Sequence, residues 1–436
     1  MQNHNENNEN NTDQQNDQVV TPWTVTSKEG INYMKLIDQF GCKPIDGKLI
    51  RRFEEVTGKK AHTWLRRGLF FSHKDLEKIL SVYESGKPVY IYTGRGPTSE
   101  AMHMGHMVPF MFTKYIQDAF DAILLVQLSD SEKFYFKDGL ELEEANRLAY
   151  ENAKDIIACG FNPDKTFIFS DLDNMGNSMY KNVVLTMKNM TGNLIKGTYG
   201  LTYDNNVGEF SWPCFQIAPA FSSSFENIFG KNNVTVPCLV TMAIDQTPYF
   251  RSSRIVAEKL SNRGYIKPAE MHTKFLVSLE GINAKMSSTG NNLAIFMTDK
   301  SKDVDQKIKK CFSGGKDTKE LQQQFGADLT IDVTYQWLLY FLDDDEKLKE
   351  IAVKYKSGQM LTGEIKKILS AVVQEMVIKH QENRNNVTKE LLDKFFNPNR
   401  QFDFSRKTDR DDIGEYNEET YNKYGLNFDP YFDLYN

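Results

Sequence analysis

The sequence predicts an α/β protein: a doubly wound parallel sheet with a domain made of helices alone behind it. Three observations carry the prediction. Short β-rich runs recur between residues 88 and 278, and they are too apolar to alternate simply, as strands of a parallel sheet covered on both faces are. Helical patterns fill the gaps between those runs, which is the signature of βαβ units. After about residue 295 the strand signal disappears and helical spacing continues.

Taken in order, residues 1–18 hold seven Asn and four Gln, a polar composition that cannot bury enough apolar surface to order itself. An appended element is expected over 19–80, with a short extended piece (VVTPWTV) and helices near 28–40 and 47–57. The catalytic body is expected over 81–295. Its strands are placed at 88–93, 122–128, 166–170, 234–243 and 271–278, with helices at about 104–118, 141–159, 179–191 and 248–261. A helical domain is expected over 296–404, with helices at 301–312, 318–325, 331–343, 345–355, 361–380 and 388–396. Residues 405–436 form an acidic extension whose five Tyr and two Phe set it apart from the N-terminal tail.

Composition narrows the function. An apolar content of 40% over 436 residues suits a folded soluble protein. No apolar run approaches the length of a membrane span, and the N-terminus lacks the basic start and apolar stretch of a secretory signal and the Arg of a transit peptide. Five isolated cysteines without a CxxC argue against disulfides and thiolate zinc sites, so a reducing, cytoplasmic setting is expected. Net charge is −6, but the first twenty residues carry four acids and no base, and residues 409–436 carry eight acids against Arg410 and Lys423. The body between them is therefore +4, which is compatible with a polyanionic partner.

Two stretches carry chemistry. In YTGRGPTSEAMHMGHMVPF (92–110) a strand ends in a glycine turn and a helix begins near His103. Gly105 in the first helical turn costs about 1 kcal/mol relative to Ala, so something is expected to approach the backbone there. His103 and His106, three apart, project from one side of the helix start. A helix N-terminus with ring N–H donors suits a nucleotide phosphate; taken alone, the pair could equally be surface histidines. The second stretch is KMSST (285–289), where a mobile Lys among hydroxyls can neutralise charge on a transferring phosphate. Lys and Ser fill many loops, but the two elements together, in the first and last turns of one α/β body, are specific.

His103-Met104-Gly105-His106 and Lys285-Met286-Ser287-Ser288-Thr289 resemble the HIGH and KMSKS signatures of class I aminoacyl-tRNA synthetases. GRGPTSEAMHMGH (94–106), KDIIACGF (154–161) and AIDQTPYFR (243–251) narrow the resemblance to the cytosolic, eukaryotic-type tryptophanyl-tRNA synthetases, from about Val20 to about Phe404. Ser288 replaces the second Lys of the signature and Thr289 its last Ser, and nothing transfers to residues 405–436. The resemblance implies a Rossmann-like catalytic domain and a helical anticodon-binding domain. It implies ATP with Mg²⁺ carried by the nucleotide and no tightly bound protein metal. It also implies L-tryptophan and tRNA(Trp) as substrates, and a homodimer.

It further implies roles. His103 and His106 donate to the triphosphate, Lys285 with Ser287 holds the leaving pyrophosphate, and Lys133 and Arg95 lie near the α-phosphate. Thr93, Gly94, Gly105, Asp245 and Met286 complete the ATP site, Asp245 on the ribose. Tyr92 and Gln127 meet the indole N–H. Glu132 and Gln216 hold the ammonium with Gln246 close by, and Pro219 and Phe250 line the ring. The basic pairs Lys309-Lys310 and Lys366-Lys367 could meet tRNA phosphates or form a solvated face. Competing readings are a tyrosyl-tRNA synthetase, a small-molecule nucleotidyltransferase, and a catalytically inactive synthetase-derived binding protein. The Tyr92/Gln127 pair and the SEAMHMGH context argue against the first, the KMSST loop and the helical domain against the second, and the intact His103, His106 and Lys285 against the third.

Overall fold

The computed structural model describes residues 18–21, 25–27, 30–231, 233–285, 293–407 and 409–429. Its described strands are β1 (Gln18–Val20), β2 (Val25–Ser27), β3 (Lys43–Pro44), β4 (Phe70–Lys74), β5 (Tyr90–Arg95), β6 (Ile123–Leu128), β7 (Thr166–Ser170), β8 (Cys238–Ala243), β9 (Ala269–Thr273), β10 (Val277–Ser278) and β11 (Gly281–Lys285). A seven-stranded sheet has the order β3-β4-β9-β8-β5-β6-β7, and a small antiparallel one the order β1-β2-β11-β10.

The large sheet is parallel from β9 to β7 and antiparallel at the β3–β4–β9 edge. The parallel sheet expected from the sequence is thus present, with a mixed edge added. The run FFSHK of β4 gave no strand signal because its polar residues are as buried as its phenylalanines. Ser72 Oγ meets His272 Nδ1 at 3.0 Å inside the sheet, which satisfies groups that would otherwise demand solvent. The run expected as one strand over 271–278 is divided: β9 ends at Thr273, residues 274–276 cross over, and β10 joins the other sheet.

Period-two alternation sorts the central strands between two apolar cores. Ile91, Leu124, Val126, Ile168 and Leu239 point into one, which also receives Met104, Met107, Val108, Phe112 and Ile116 of the helix Met104–Phe120. Tyr90, Tyr92, Leu125, Phe167, Phe169 and Val240 point into the other, beneath the helices Asn177–Asn189, Val207–Ile217 and Thr247–Lys259. The second of these helices, like Leu76–Glu84, Asp130–Phe136 and Gly192–Tyr199, is not among those expected from the sequence.

Beyond the large sheet the helices Ser301–Lys309, Lys319–Phe325, Val333–Phe341, Asp345–Lys356, Thr362–Asn385 and Lys389–Phe396 follow with no strand among the described residues. Each begins within two residues of its expected start. Lys366 is not open to a phosphate here: its Nζ donates to the carbonyls of Lys309 (3.0 Å) and Cys311 (2.7 Å), groups left over at a helix C-terminus. No described helix is long and apolar enough to cross a membrane.

Residues 1–17 and 22–24, which carry the tail and most of the PWTV segment, lie outside the described residues. Gln18 belongs to β1, and its side chain accepts from Asn32 N at 2.7 Å. The C-terminal extension is a strap. Lys165 Nζ donates to Ser405 O, Arg406 to the carbonyls of Tyr83 and Lys87, and Tyr421 Oη to Glu54. At Gly47 a Cβ would fall 1.8 Å from Tyr421 O, and at Gly68 2.3 Å from Gly425 O, so the body is shaped to admit the strap.

Candidate active site

The order β8-β5-β6 puts β5 at the point where connections leave the sheet in opposite directions, and a crevice opens at the carboxyl ends of strands there. A cavity of about 360 Å³ occupies that place. Its wall brings together Tyr92, Thr93, Gly94 and Arg95 from β5, His103, Gly105 and His106 from the helix start, and Gln127, Glu132 and Lys133 from β6 and the helix Asp130–Phe136 after it. Gln216, Asp245, Gln246 and Phe250 complete the set of predicted residues on this wall. Pro219 is not on the wall: it is buried behind it, where its carbonyl accepts from Tyr90 Oη at 3.0 Å. Lys285 closes β11, but Met286 and Ser287, and with them the rest of KMSST, lie outside the described residues.

At the helix start, His103 is the N-cap residue with extended backbone (φ −96°, ψ 165°). The two imidazoles stack with centroids 3.4 Å apart, and His106 Nδ1 lies 3.5 Å from the His103 amide. That contact favours the tautomer with the proton on Nε2, the outward nitrogen. Pro109 sits inside the helix and has no N–H to give the carbonyl four residues back, so the Gly105 carbonyl loses its helical donor. Both residues line the cavity.

Positive charge enters from the helix Asp130–Phe136 that follows β6. Lys133 Nζ pairs with Glu132 Oε1 at 2.8 Å, and Ser129 Oγ donates to Glu132 Oε2 at 2.7 Å. Gly96 makes the approach possible: a Cβ there would fall 2.0 Å from Lys133 Cε and 2.8 Å from Glu132 Oε2. Arg95 donates through Nε to Asn152 Oδ1 (3.3 Å), and its buried Nη2 meets no acceptor among the described residues. Burial lowers its pKa from 12.5 to about 10, and Glu132 opposes the shift. Asp245, almost fully buried, sits in the single turn Ile244–Gln246 that follows β8.

The opposite end is a closed hydrogen-bond chain. Tyr92 Oη donates to Gln127 Oε1 and lies 2.8 Å from the Gln216 carbonyl, while Gln127 Nε2 donates to Asp171 Oδ1 at 2.7 Å. Phe250 meets the Tyr92 ring edge-on at 6.0 Å between centroids. Sequence reasoning missed Asp171. The available signal was an acid immediately after a strand, one alternation beyond two buried phenylalanines. It also missed Gly96, Ser129, Tyr249 and the Lys274–Leu276 crossover, all on the wall. Lys274 Nζ lies 5.3 Å from the Tyr33 ring centroid and 6.0 Å from that of Phe71, and burial lowers its pKa to about 8.

This wall therefore offers cationic and N–H donors at one end and a neutral, directional hydrogen-bond chain at the other. The first fits phosphate oxygens and the second a flat ring that carries one polar edge.

Known proteins agree. The family described as tRNA synthetases class I (W and Y) matches residues 84–377. A Pongo abelii protein named cytoplasmic tryptophan–tRNA ligase is 50% identical over 391 residues, covering 88% of this chain and 82% of that one. A Saccharomyces cerevisiae protein of the same name is 48% identical over 392 residues, covering 88% and 90%. The crystal structure of Plasmodium falciparum tryptophanyl-tRNA synthetase superposes with a TM-score of 0.78 at 46% identity, over 85% of this chain and 98% of that chain.

Proposed function

Because the chain belongs to the class I tRNA synthetases of the tryptophan and tyrosine group, we propose that it activates L-tryptophan with ATP and transfers it to tRNA(Trp) in the cytoplasm. The observation that carries this reading is the single cavity that joins the stacked histidines at a helix start to the Tyr92–Gln127 pair. In the first step an oxygen of the tryptophan carboxylate attacks the α-phosphorus. The bond to the bridging oxygen breaks, leaving tryptophanyl-adenylate and pyrophosphate. In the second a hydroxyl of the terminal tRNA adenosine attacks the acyl carbon and AMP leaves. No side chain needs to become covalently attached; positioning and charge neutralisation supply the rate.

Each wall residue then has a task. His106 Nε2 and the His103 ring meet triphosphate oxygens, and Arg95 and Lys133 neutralise charge at the α-phosphate. Thr93, Gly94 and Gly105 give the nucleotide room, and Asp245 accepts from its ribose. Lys285 with Ser287 holds the leaving pyrophosphate, and Met286 belongs to the ATP site. Tyr92 and Gln127 accept the ring N–H, Glu132, Gln216 and Gln246 hold the ammonium, and Phe250 flanks the ring. Among the described residues no group of three His, Cys, Asp or Glu side chains could hold a metal. The donors at the phosphate end are cationic, which suits Mg²⁺ carried by the nucleotide.

Pairing in a homodimer is supported by the helix Asn177–Asn189. Tyr180, Val184 and Met187 share one of its faces and are 53%, 45% and 38% exposed, the spacing of an apolar stripe that wants a partner. The helices after residue 300 are the natural anticodon-binding part. ATP–pyrophosphate exchange with tryptophan and with tyrosine, followed by charging of tRNA(Trp), tests the reading. Exchange with tyrosine but not tryptophan, or with neither, overturns it.

A further inference from the structure

We propose that Asp171 is the positioning residue that makes this pocket select a ring N–H. By accepting one amide proton of Gln127 at 2.7 Å, with the Phe215 carbonyl as a weaker second acceptor 3.4 Å from Nε2, it sets the direction of the hydrogen-bond chain facing the substrate. The inference rests on the tryptophan reading above.

The placement follows from the sheet. Tyr92 lies within β5, Gln127 near the end of the adjacent parallel strand β6, and Asp171 just beyond β7. Alternation puts Tyr92 and Gln127 on one face, since Tyr92 follows Tyr90 and Gln127 follows Leu125, and Asp171 opens the helical turn Asp171–Asn174 right after β7, where its carboxylate reaches Gln127. Asp171 is 3% exposed. Its Oδ1 accepts from Gln127 Nε2 at 2.7 Å and its Oδ2 from Ser131 Oγ at 2.8 Å, and no described cation pairs with it.

A glutamine amide can be turned end for end at little steric cost, so its shape alone does not say which end meets Tyr92. Asp171 decides it. An amide nitrogen can only donate, and a carboxylate oxygen accepts, so Nε2 must face Asp171 and Oε1 must face Tyr92. The Tyr92 hydroxyl hydrogen is then shared between Oε1 and the Gln216 carbonyl, and the remaining lone pairs of Tyr92 Oη and Gln127 Oε1 are what the substrate meets. A ring N–H satisfies them. A ring without a donor leaves buried acceptors unpaired, which is costly. With Gln127 turned over, its NH₂ would occupy that place and repel the N–H. Burial and the neighbouring Asp130 push the Asp171 carboxyl well above the usual range. The direction survives protonation, because a proton on Oδ2 can be shared with Ser131 while Oδ1 still accepts.

The test compares tryptophan with an analogue whose ring nitrogen is replaced by sulfur, in ATP–pyrophosphate exchange. Asp171→Leu should raise KM for tryptophan about tenfold, with kcat within about twofold and KM for the sulfur analogue unchanged. Asp171→Asn should restore the wild-type values to within about threefold, because an amide held by Ser131 keeps its oxygen on Gln127. If Asp171→Leu does not fold, the pair Ser131→Ala/Asp171→Asn replaces it. That pair frees the new amide to turn and should show the same N–H-selective loss, which neither single variant shows. Equal losses for both substrates, or a tryptophan KM within twofold of wild type in the breaking variant, overturns the inference. If wild-type protein itself does not activate tryptophan, the functional reading fails instead, and the two failures are told apart by that control.

Discussion

At the ring end of the cavity Tyr92, Gln127 and Asp171 are paired with one another, whereas at the phosphate end Arg95 brings a buried Nη2 that no described residue accepts. Recognition of a neutral ring needs direction, so the protein orders its donors and acceptors before the substrate comes. Neutralisation of a phosphate needs charge that protein partners have not already used, and a desolvated cation interacts more strongly with an incoming anion than a hydrated one. The two ends should therefore fail differently: one in rate, the other in selectivity.

The largest effect is expected at the phosphate end. His106→Ala should slow adenylate formation by about 10²–10³-fold with tryptophan affinity little changed, measured by single-turnover kinetics and equilibrium binding. A variant that loses affinity and keeps its rate would erase the distinction.

Gly96→Ala sharpens it. The new Cβ would strike the Lys133 side chain, which is flexible and can give way, so the fold should hold while the charge is misplaced. A rate loss of about 10²-fold with an unchanged melting temperature is expected.

Gln127→Ala probes the other end. Loss of the acceptor should cost about 1–3 kcal/mol in kcat/KM for tryptophan, and almost nothing for the sulfur analogue. The Tyr92→Phe, Gln127→Ala double variant should lose more than either single one. Equal losses for both substrates would mean that Gln127 does not read the N–H.

The smallest effect concerns Lys274, on the same wall with its Nζ beside the Tyr33 and Phe71 rings. Burial lowers its pKa from 10.5 to about 8, so a charged Lys274 destabilises the fold below pH 8. Between pH 8 and 10.5 the unfolded chain binds this proton and the folded chain does not, so the cost is relieved as pH rises through that window. Lys274→Met should raise Tm by about 2–4 °C at pH 7, and the gain should shrink toward pH 10.5 in calorimetric scans. A gain independent of pH would point to packing.

Much of this was legible in the sequence. The five parallel strands came from apolar runs, the helices after residue 300 from their spacing, and His103 with His106 from three-residue spacing at a helix start beside a glycine. These are local patterns, and local geometry alone fixes which side chains share a face. The strand β4 was hidden because Ser72 and His73 are buried among partners far along the chain. Pro219 was misplaced because a proline in an apolar stretch reads the same whether it lines a cavity or stands behind one.

What the sequence by itself determined is the run of parallel strands from β9 to β7, the helices after residue 300, and the chemistry at the helix start, since each depends on residues within a few positions of one another. What only the tertiary structure decided is the partnership across the strands: Asp171 behind Gln127, Gly96 under Lys133, Lys274 on the cavity wall, and the strap seated at Gly47 and Gly68. Those pairs join residues up to several hundred positions apart. Whether a polar side chain is a rim group or a buried director of hydrogen bonds depends on which strand ends lie beside it, and only the order of strands in the folded sheet supplies that.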